Sequence, residues 1–158
     1  MTFDDLAKKL GKLPEEIQAD ATKLAAETAR TYAVDTFRRK AFDGQAWKPT
    51  NKRRGSTLVD SGNLRNSVRV VEVRTDYAVI GAGNSHVRYA RVHNEGFNDI
   101  VSVRAHSRKN KKTGKVYKVN TFKRHMRIIQ RQFMGDSREL NAMIVNRVIL
   151  LIQKKYKQ

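Results

Sequence analysis

From Arg104 to Arg131 the chain places eleven lysines and arginines and not one aspartate or glutamate. The set is Arg104, Arg108, Lys109, Lys111, Lys112, Lys115, Lys118, Lys123, Arg124, Arg127 and Arg131. A segment so charged belongs on a surface, and its flanks say how it is presented. "DIVSVRAH" and "KVYKVNTF" read as strands, and the basic stretch "SRKNKKTGKVYK" joins them. Lys112-Thr113-Gly114-Lys115 has the residue types of a turn. The pattern predicts a basic hairpin whose tip projects from a sheet.

The imbalance extends beyond this segment. The formal net charge is +18, from 33 Lys and Arg against 15 Asp and Glu. Residues 1–35 carry five bases and seven acids, a net of −2, and the remainder carries +20. This asymmetry points to a polyanion or to an acidic protein partner. The plainer alternative is a solvated surface that aids solubility. Tyr117 and Phe122 are the aromatics near the tip, so base stacking has little support. Phosphate contact without base readout suits the composition better. Self-repulsion would keep such a loop mobile until an anion arrives.

A length of 158 residues suggests one domain, 1–158, with a single modest core. The absence of cysteine excludes disulfides, thiolate catalysis and cysteine-based zinc sites. The first residues, "MTFDDLAKKLGKL", are too polar for a signal peptide, and no apolar run reaches the roughly 18 residues of a membrane span.

Two long helices are expected. Pro14 opens "PEEIQADATKLAAETARTYAVDTFRRKAF", with Glu15, Glu16 and Asp20 at the positive end of the helix dipole and Arg38, Arg39 and Lys40 at the other. Asp43-Gly44 reads as its stop. In the last segment Asp136 or Ser137 can cap a helix through "RELNAMIVNRVILLIQKKYKQ". Both helices are apolar on more than one side, which suits either a deep core or a neighbouring subunit. On the second reading Ala26, Ala33, Phe37, Val145, Ile149 and Leu150 are candidate interface residues, as is the lone Trp47. Between the helices, "SVRVVEV" and "YAVIGAG" form a hairpin with a bulge near Val70–Val71, and "HVRYARVHNEGF" is a short helix or link. The fold class is α+β: a long N-terminal helix, a small antiparallel sheet of about four strands with the protruding hairpin, and a C-terminal helix packed on the sheet.

No constellation of catalytic residues emerges. His93-Asn94-Glu95 has pieces of a nuclease motif, but the carboxylates after Asp60 are few and share no metal-binding spacing. Gly81-Ala82-Gly83 lacks the Lys-Ser/Thr of a phosphate loop. No metal and no cofactor is expected. A nuclease using a divalent cation and a stand-alone nucleic-acid-binding domain remain as alternative functions.

Four pieces carry a family resemblance. They are "FDGQAWKP" from Phe42, "LVDSGNLRNSV" from Leu58, "YARVHNEGF" from Tyr89, and "RQFMGDS" from Arg131 before the last helix. In this order they resemble the phage virion morphogenesis proteins, the tail-completion family of Mu-like and P2-like phages. Gln132 stands where proline is common in that family and Asn94 where glutamine is common. The resemblance implies a structural protein without catalytic residues, acting at the head-proximal end of the tail. It implies a homo-oligomeric ring, commonly six-fold, around the DNA path, made in the host cytoplasm and carried in the virion. Its implied partners are the connector or adaptor, the tail-terminator or tail-tube proteins, and the packaged double-stranded DNA.

Overall fold

The chain begins with two helices joined by a short turn at Gly11. A computed structural model describes residues 1–49 and 58–156. Helix α1 (Phe3–Leu10) starts with a reciprocal cap: Thr2 Oγ1 accepts from the Asp5 backbone N–H, and Asp5 Oδ2 accepts from Thr2 N–H, both at 3.1 Å. This helix is additional to the two expected from the sequence. Helix α2 (Glu15–Arg39) follows Pro14 as expected. It ends earlier than Asp43-Gly44, at Lys40, whose backbone turns left-handed at φ 55°. Asp43 (φ 48°) and Gly44 (φ 77°) instead form the two-residue turn between β1 (Ala41–Phe42) and β2 (Gln45–Ala46). Positive φ at both turn residues is what a tight hairpin of this length requires.

Helix α3 (Asn63–Asn66) leads into β3 (Arg69–Val73), which pairs antiparallel with β4 (Ala78–Gly81). The register shifts between Val70 and Glu72, where the apolar alternation changes parity in the sequence. Helix α4 (Ala90–Glu95) precedes a long two-stranded arm. In its proximal part β5 (Phe97–Val103) pairs with β8 (Phe122–Ile128); in its distal part β6 (His106–Lys109) pairs with β7 (Val116–Val119). Helix α5 (Arg138–Tyr156) closes the described chain.

The expected sheet of about four strands is not what forms. Among the described residues the strands make four two-stranded ladders. The strands of the arm pair only with each other, and no described strand joins them to β3–β4. The strand Phe122–Ile128 is a further difference, since "KVYKVNTF" divides at Asn120-Thr121 into the end of β7 and the start of β8. Nor does α5 pack on a sheet. It packs on α2 and α1, while β3 and β4 also lie against α2.

Two apolar clusters result, and α2 contributes to both. One holds Ala33, Phe37, Leu64, Val68, Val87, Ala90 and Phe133, with Trp47, Leu58, Val59 and Ile80 packed against it. The other holds Leu6, Ala21, Ile144, Val145 and Val148, with Leu24, Ile149 and Ile152 around it. Part of the loop expected between Trp47 and Ser67 lies outside the described residues, as does Lys157 beyond α5.

Candidate functional site

The basic run forms the distal half of the arm. The distal ladder continues the register of the proximal one with no residue inserted or skipped, from Phe97 opposite Ile128 to Lys109 opposite Val116. The two ladders are therefore one hairpin, interrupted at Arg104-Ala105 and Asn120-Thr121. None of residues 97–128 is buried. Arg104, Arg108, Lys109, Lys111, Lys112, Lys115 and Lys118 are all exposed, as the sequence predicts for a projecting tip. Local hydrogen bonds shape the turn at the tip. Asn110 Oδ1 accepts from the N–H groups of Lys112 and Thr113 at 2.9 and 3.2 Å, and Gly114 takes φ 70° to close the turn. The expected tip at Lys112 to Lys115 is the observed one. At the interruption, His106 Nδ1 lies 2.9 Å from the Arg104 carbonyl oxygen.

The proximal half, the stem, is two-faced. Phe97, Val101, Val103, Phe122, Met126 and Ile128 lie on one face by register, together with Asp99 and Arg124. Asn98, Ile100, Ser102, Lys123, His125 and Arg127 lie on the other, and all six are exposed. Every half-buried residue of this stem falls on the first face.

Residues far apart in sequence hold the base of the arm. Asn94 Oδ1 accepts from Phe133 N–H at 2.9 Å and Met134 N–H at 3.0 Å, and Asn94 Nδ2 donates to Met134 O at 3.1 Å. Arg131 N–H donates to His93 O at 2.8 Å, and its guanidinium donates to the carbonyls of Lys48 and Pro49. Trp47 Nε1 donates to Gln132 O at 2.7 Å. Gly96 starts the arm at φ 80°, and a Cβ there would stand 3.2 Å from Gln130. Asn94 and Gln132 both take part in bracing this loop. Asn94 does so through its side chain and Gln132 mainly through its carbonyl.

All four motifs supply this framework. Phe42 is buried beside Tyr32, with ring centroids 5.9 Å apart. Ser67 Oγ donates to Leu64 O and accepts from Gly83 N–H, which locks α3 to the end of β4. Phe133 is 1% exposed and lies 5.0 Å from the Phe37 ring. His93 packs edge-on against Tyr89 at 5.6 Å. These contacts give each motif a part in packing the fold. Among the described residues no three His, Asp or Glu side chains gather into a group that could hold a metal ion.

The candidate interface residues divide sharply. Ala26, Ala33, Phe37 and Val145 are buried within the subunit, the last three in its two apolar clusters. Helix α2 uses its several apolar sides on β3–β4, α3 and α5 of the same chain. Trp47 is likewise engaged internally, against Phe37 at 5.6 Å. Ile149 is half-buried against the second cluster. Leu150 alone of the set stands in solvent, 64% exposed.

One electrostatic feature escaped the sequence. Arg39, Tyr32, Asp43, Ser137 and Glu139 form a polar knot where α2, the β1–β2 turn and the start of α5 meet. Glu139 accepts from Arg39 at 2.6 Å and from Tyr32 Oη at 2.9 Å. The Arg39 hydrogen bond, then that of Tyr32, holds the Glu139 carboxyl below its ordinary range. Asp43 is lowered too, chiefly by the Glu139 backbone N–H and next by the Ser137 hydroxyl. The Arg39 guanidinium also sits 5.1 Å over the Tyr32 ring.

The motifs together build the framework that carries the exposed arm. The chain belongs to the phage virion morphogenesis family, whose model matches residues 2–152. That family comprises structural morphogenesis proteins, generally without enzymatic activity. No curated protein and no solved structure matches the chain. No described helix is long and apolar enough to cross a membrane.

Proposed function

We propose that the protein completes the tail at its head-proximal end as one subunit of a homo-oligomeric ring, six-fold by the family's habit, and that the tip of its arm meets the phosphates of DNA passing through. The connector or adaptor would lie on one side of this ring and the tail-terminator or tail-tube proteins on the other. The arm carries this reading. Its tip offers Arg and Lys on both strands, has no aromatic platform beyond Tyr117, and remains fully exposed. Flexible cations of this kind give sequence-blind, exchangeable contacts, which suit a polymer that must move past.

Replacing Lys109, Lys111, Lys112 and Lys115 with Ala tests it. Folding should change by no more than about 0.5 kcal/mol, because the side chains are solvated. Tails should still form, while joining to heads or retention of DNA fails. The salt dependence of DNA binding by the assembled protein should fall by roughly 0.9 in log–log slope for each phosphate no longer neutralised. Normal infectious yield from the variant would overturn a role for the tip. Failed joining with unchanged DNA binding would reassign the tip to an acidic protein surface.

A further inference from the structure

Among the described residues, the apolar face of the stem is only partly covered by its own subunit. A two-stranded hairpin is at best marginal alone in water, and stability normally requires a further strand or a packed helix on its apolar face. Here that face carries Phe97, Val101, Val103, Phe122, Met126 and Ile128, and none of them is buried. Phe122, near the far end of the stem, is 43% exposed.

The same chain contains a receptor of matching character. Between α1, α2, α5 and the β3–β4 turn lies a groove of about 410 Å³, lined mainly by apolar side chains that include Leu10, Ala25 and Ile80. Phe3 and Tyr77 also line it and are 40% and 47% exposed. Its charge is distinctive as well. Helix α1 and the stretch of α2 that lines the groove, 18–29, come from residues 1–35, which are net −2 in a chain of +18. Asp76 lies in the groove wall, and Asp4 is exposed on α1. The stem's apolar face carries the cation Arg124, and Lys123 flanks it.

We infer that the stem of one copy docks its apolar face into the α1–α2–β3/β4 groove of the next copy. Arg124 then lies toward the acidic rim, and the basic tip is carried beyond it. The two surfaces lie on different parts of the subunit, so the contact is heterologous and repeats around a closed ring. Seven paired residues per strand give the stem about 20 Å of length, enough to cross a helix pair. Docking also supplies the cover that a lone hairpin needs. The inference rests on the reading of the protein as a ring subunit, and it separates two jobs along one arm: the stem for the neighbour, the tip for the anion.

The chain has no cysteine, so introduced pairs report cleanly. Full-length protein bearing Val103→Cys or Phe122→Cys on the stem is mixed with protein bearing Phe3→Cys or Tyr77→Cys in the groove, then oxidised at the highest soluble concentration. Stem-with-groove mixtures should give a cross-linked dimer, and one chain carrying both should give a ladder that stops at the ring size. Ile100→Cys, on the opposite face of the stem, should give several-fold less. No stem–groove cross-link, or equal cross-linking through Ile100→Cys, overturns the inference, and so does a protein that stays monomeric without cross-linking. Should the cross-links fail while the four-lysine variant still blocks head joining, docking falls and the tail-completion reading stands. Should cross-links form while that variant joins heads normally, the assigned role of the tip falls instead.

Discussion

Asp43 and Ser137 stand far apart in the chain and share a hydrogen bond of 2.8 Å, from the serine hydroxyl to the aspartate Oδ1. The same oxygen accepts from the Glu139 backbone N–H at 2.9 Å. Ser137 Oγ in turn accepts from Leu140 N–H at 3.1 Å. Helix α5 is therefore capped twice, by its own serine and by an aspartate held in a left-handed turn at the start of the first motif. The N–H groups that start a helix need acceptors, and here one comes from across the fold.

This capping predicts a pH dependence. The folded pKa values of Asp43 and Glu139 both lie below those of the free side chains. In the acid range the unfolded chain then binds more protons, so stability falls as pH falls. The contribution is complete above the ordinary carboxylate range, near about 4, and is lost as pH drops through the lowered folded values. Asp43→Asn should melt below the parent at neutral pH, and the gap should close toward about pH 2. Thermal melts across that range check it, and a gap that stays constant with pH would refute the assignment.

Asn94 makes three hydrogen bonds to the loop that returns from the arm. Asn94→Ala leaves two part-buried N–H donors and a carbonyl without these partners. The expected cost is about 1–3 kcal/mol, read from the urea midpoint. Amide exchange at Phe133 and Met134 should accelerate more than exchange within α5. A variant with unchanged exchange at those two amides would show that the loop is held by other means.

The family motifs were legible as an ordered set, and the structure gives them one physical purpose. Phe42, Leu64 and Phe133 could be recognised as motif members but not as core, because their neighbours are brought by α2 from elsewhere in the sequence. The hairpin tip was legible because acid-free charge, Gly114 and Asn110 act locally. The bulge was legible because parity is local too. Helix α5's true partner was not, since periodicity shows that a helix is apolar on several sides without saying what covers each side. The same limit left the core and interface readings of these helices open together. Ala33 and Phe37 looked surplus to one subunit's needs, and the subunit uses them itself. Helix α1 carried a readable signal in Thr2 and Asp5, the spacing of a reciprocal cap.

Phe133 should be the most sensitive residue of the last motif. It is 1% exposed and packs against Phe37. Phe133→Ala removes a ring that a relaxed core cannot replace, at an expected cost of about 3–5 kcal/mol. In a small domain that is a large share of a total near 5–15 kcal/mol. Phe133→Leu, which keeps most of the volume, should retain a cooperative melt. Equal stability of the two variants would mean that the first cluster does not depend on the ring.

The C-terminal helix offers the clearest separation of folding from assembly. Leu150 and Ile149 are adjacent, yet the first is 64% exposed and the second is packed against the cluster of Leu6, Ala21 and Val148. Ile149→Asp places a charge against apolar neighbours, so it should destabilise the monomer itself, by about 2 kcal/mol or more. Leu150→Asp should change unfolding by no more than about 0.5 kcal/mol. If the outer face of α5 meets another subunit, Leu150→Asp weakens self-association seen by light scattering at a temperature where the monomer remains folded. Lys154→Asp, exposed one turn further on, controls for charge alone. Matching association of Leu150→Asp and Lys154→Asp would remove α5 from the interface and leave the stem of the arm as the remaining route to a ring.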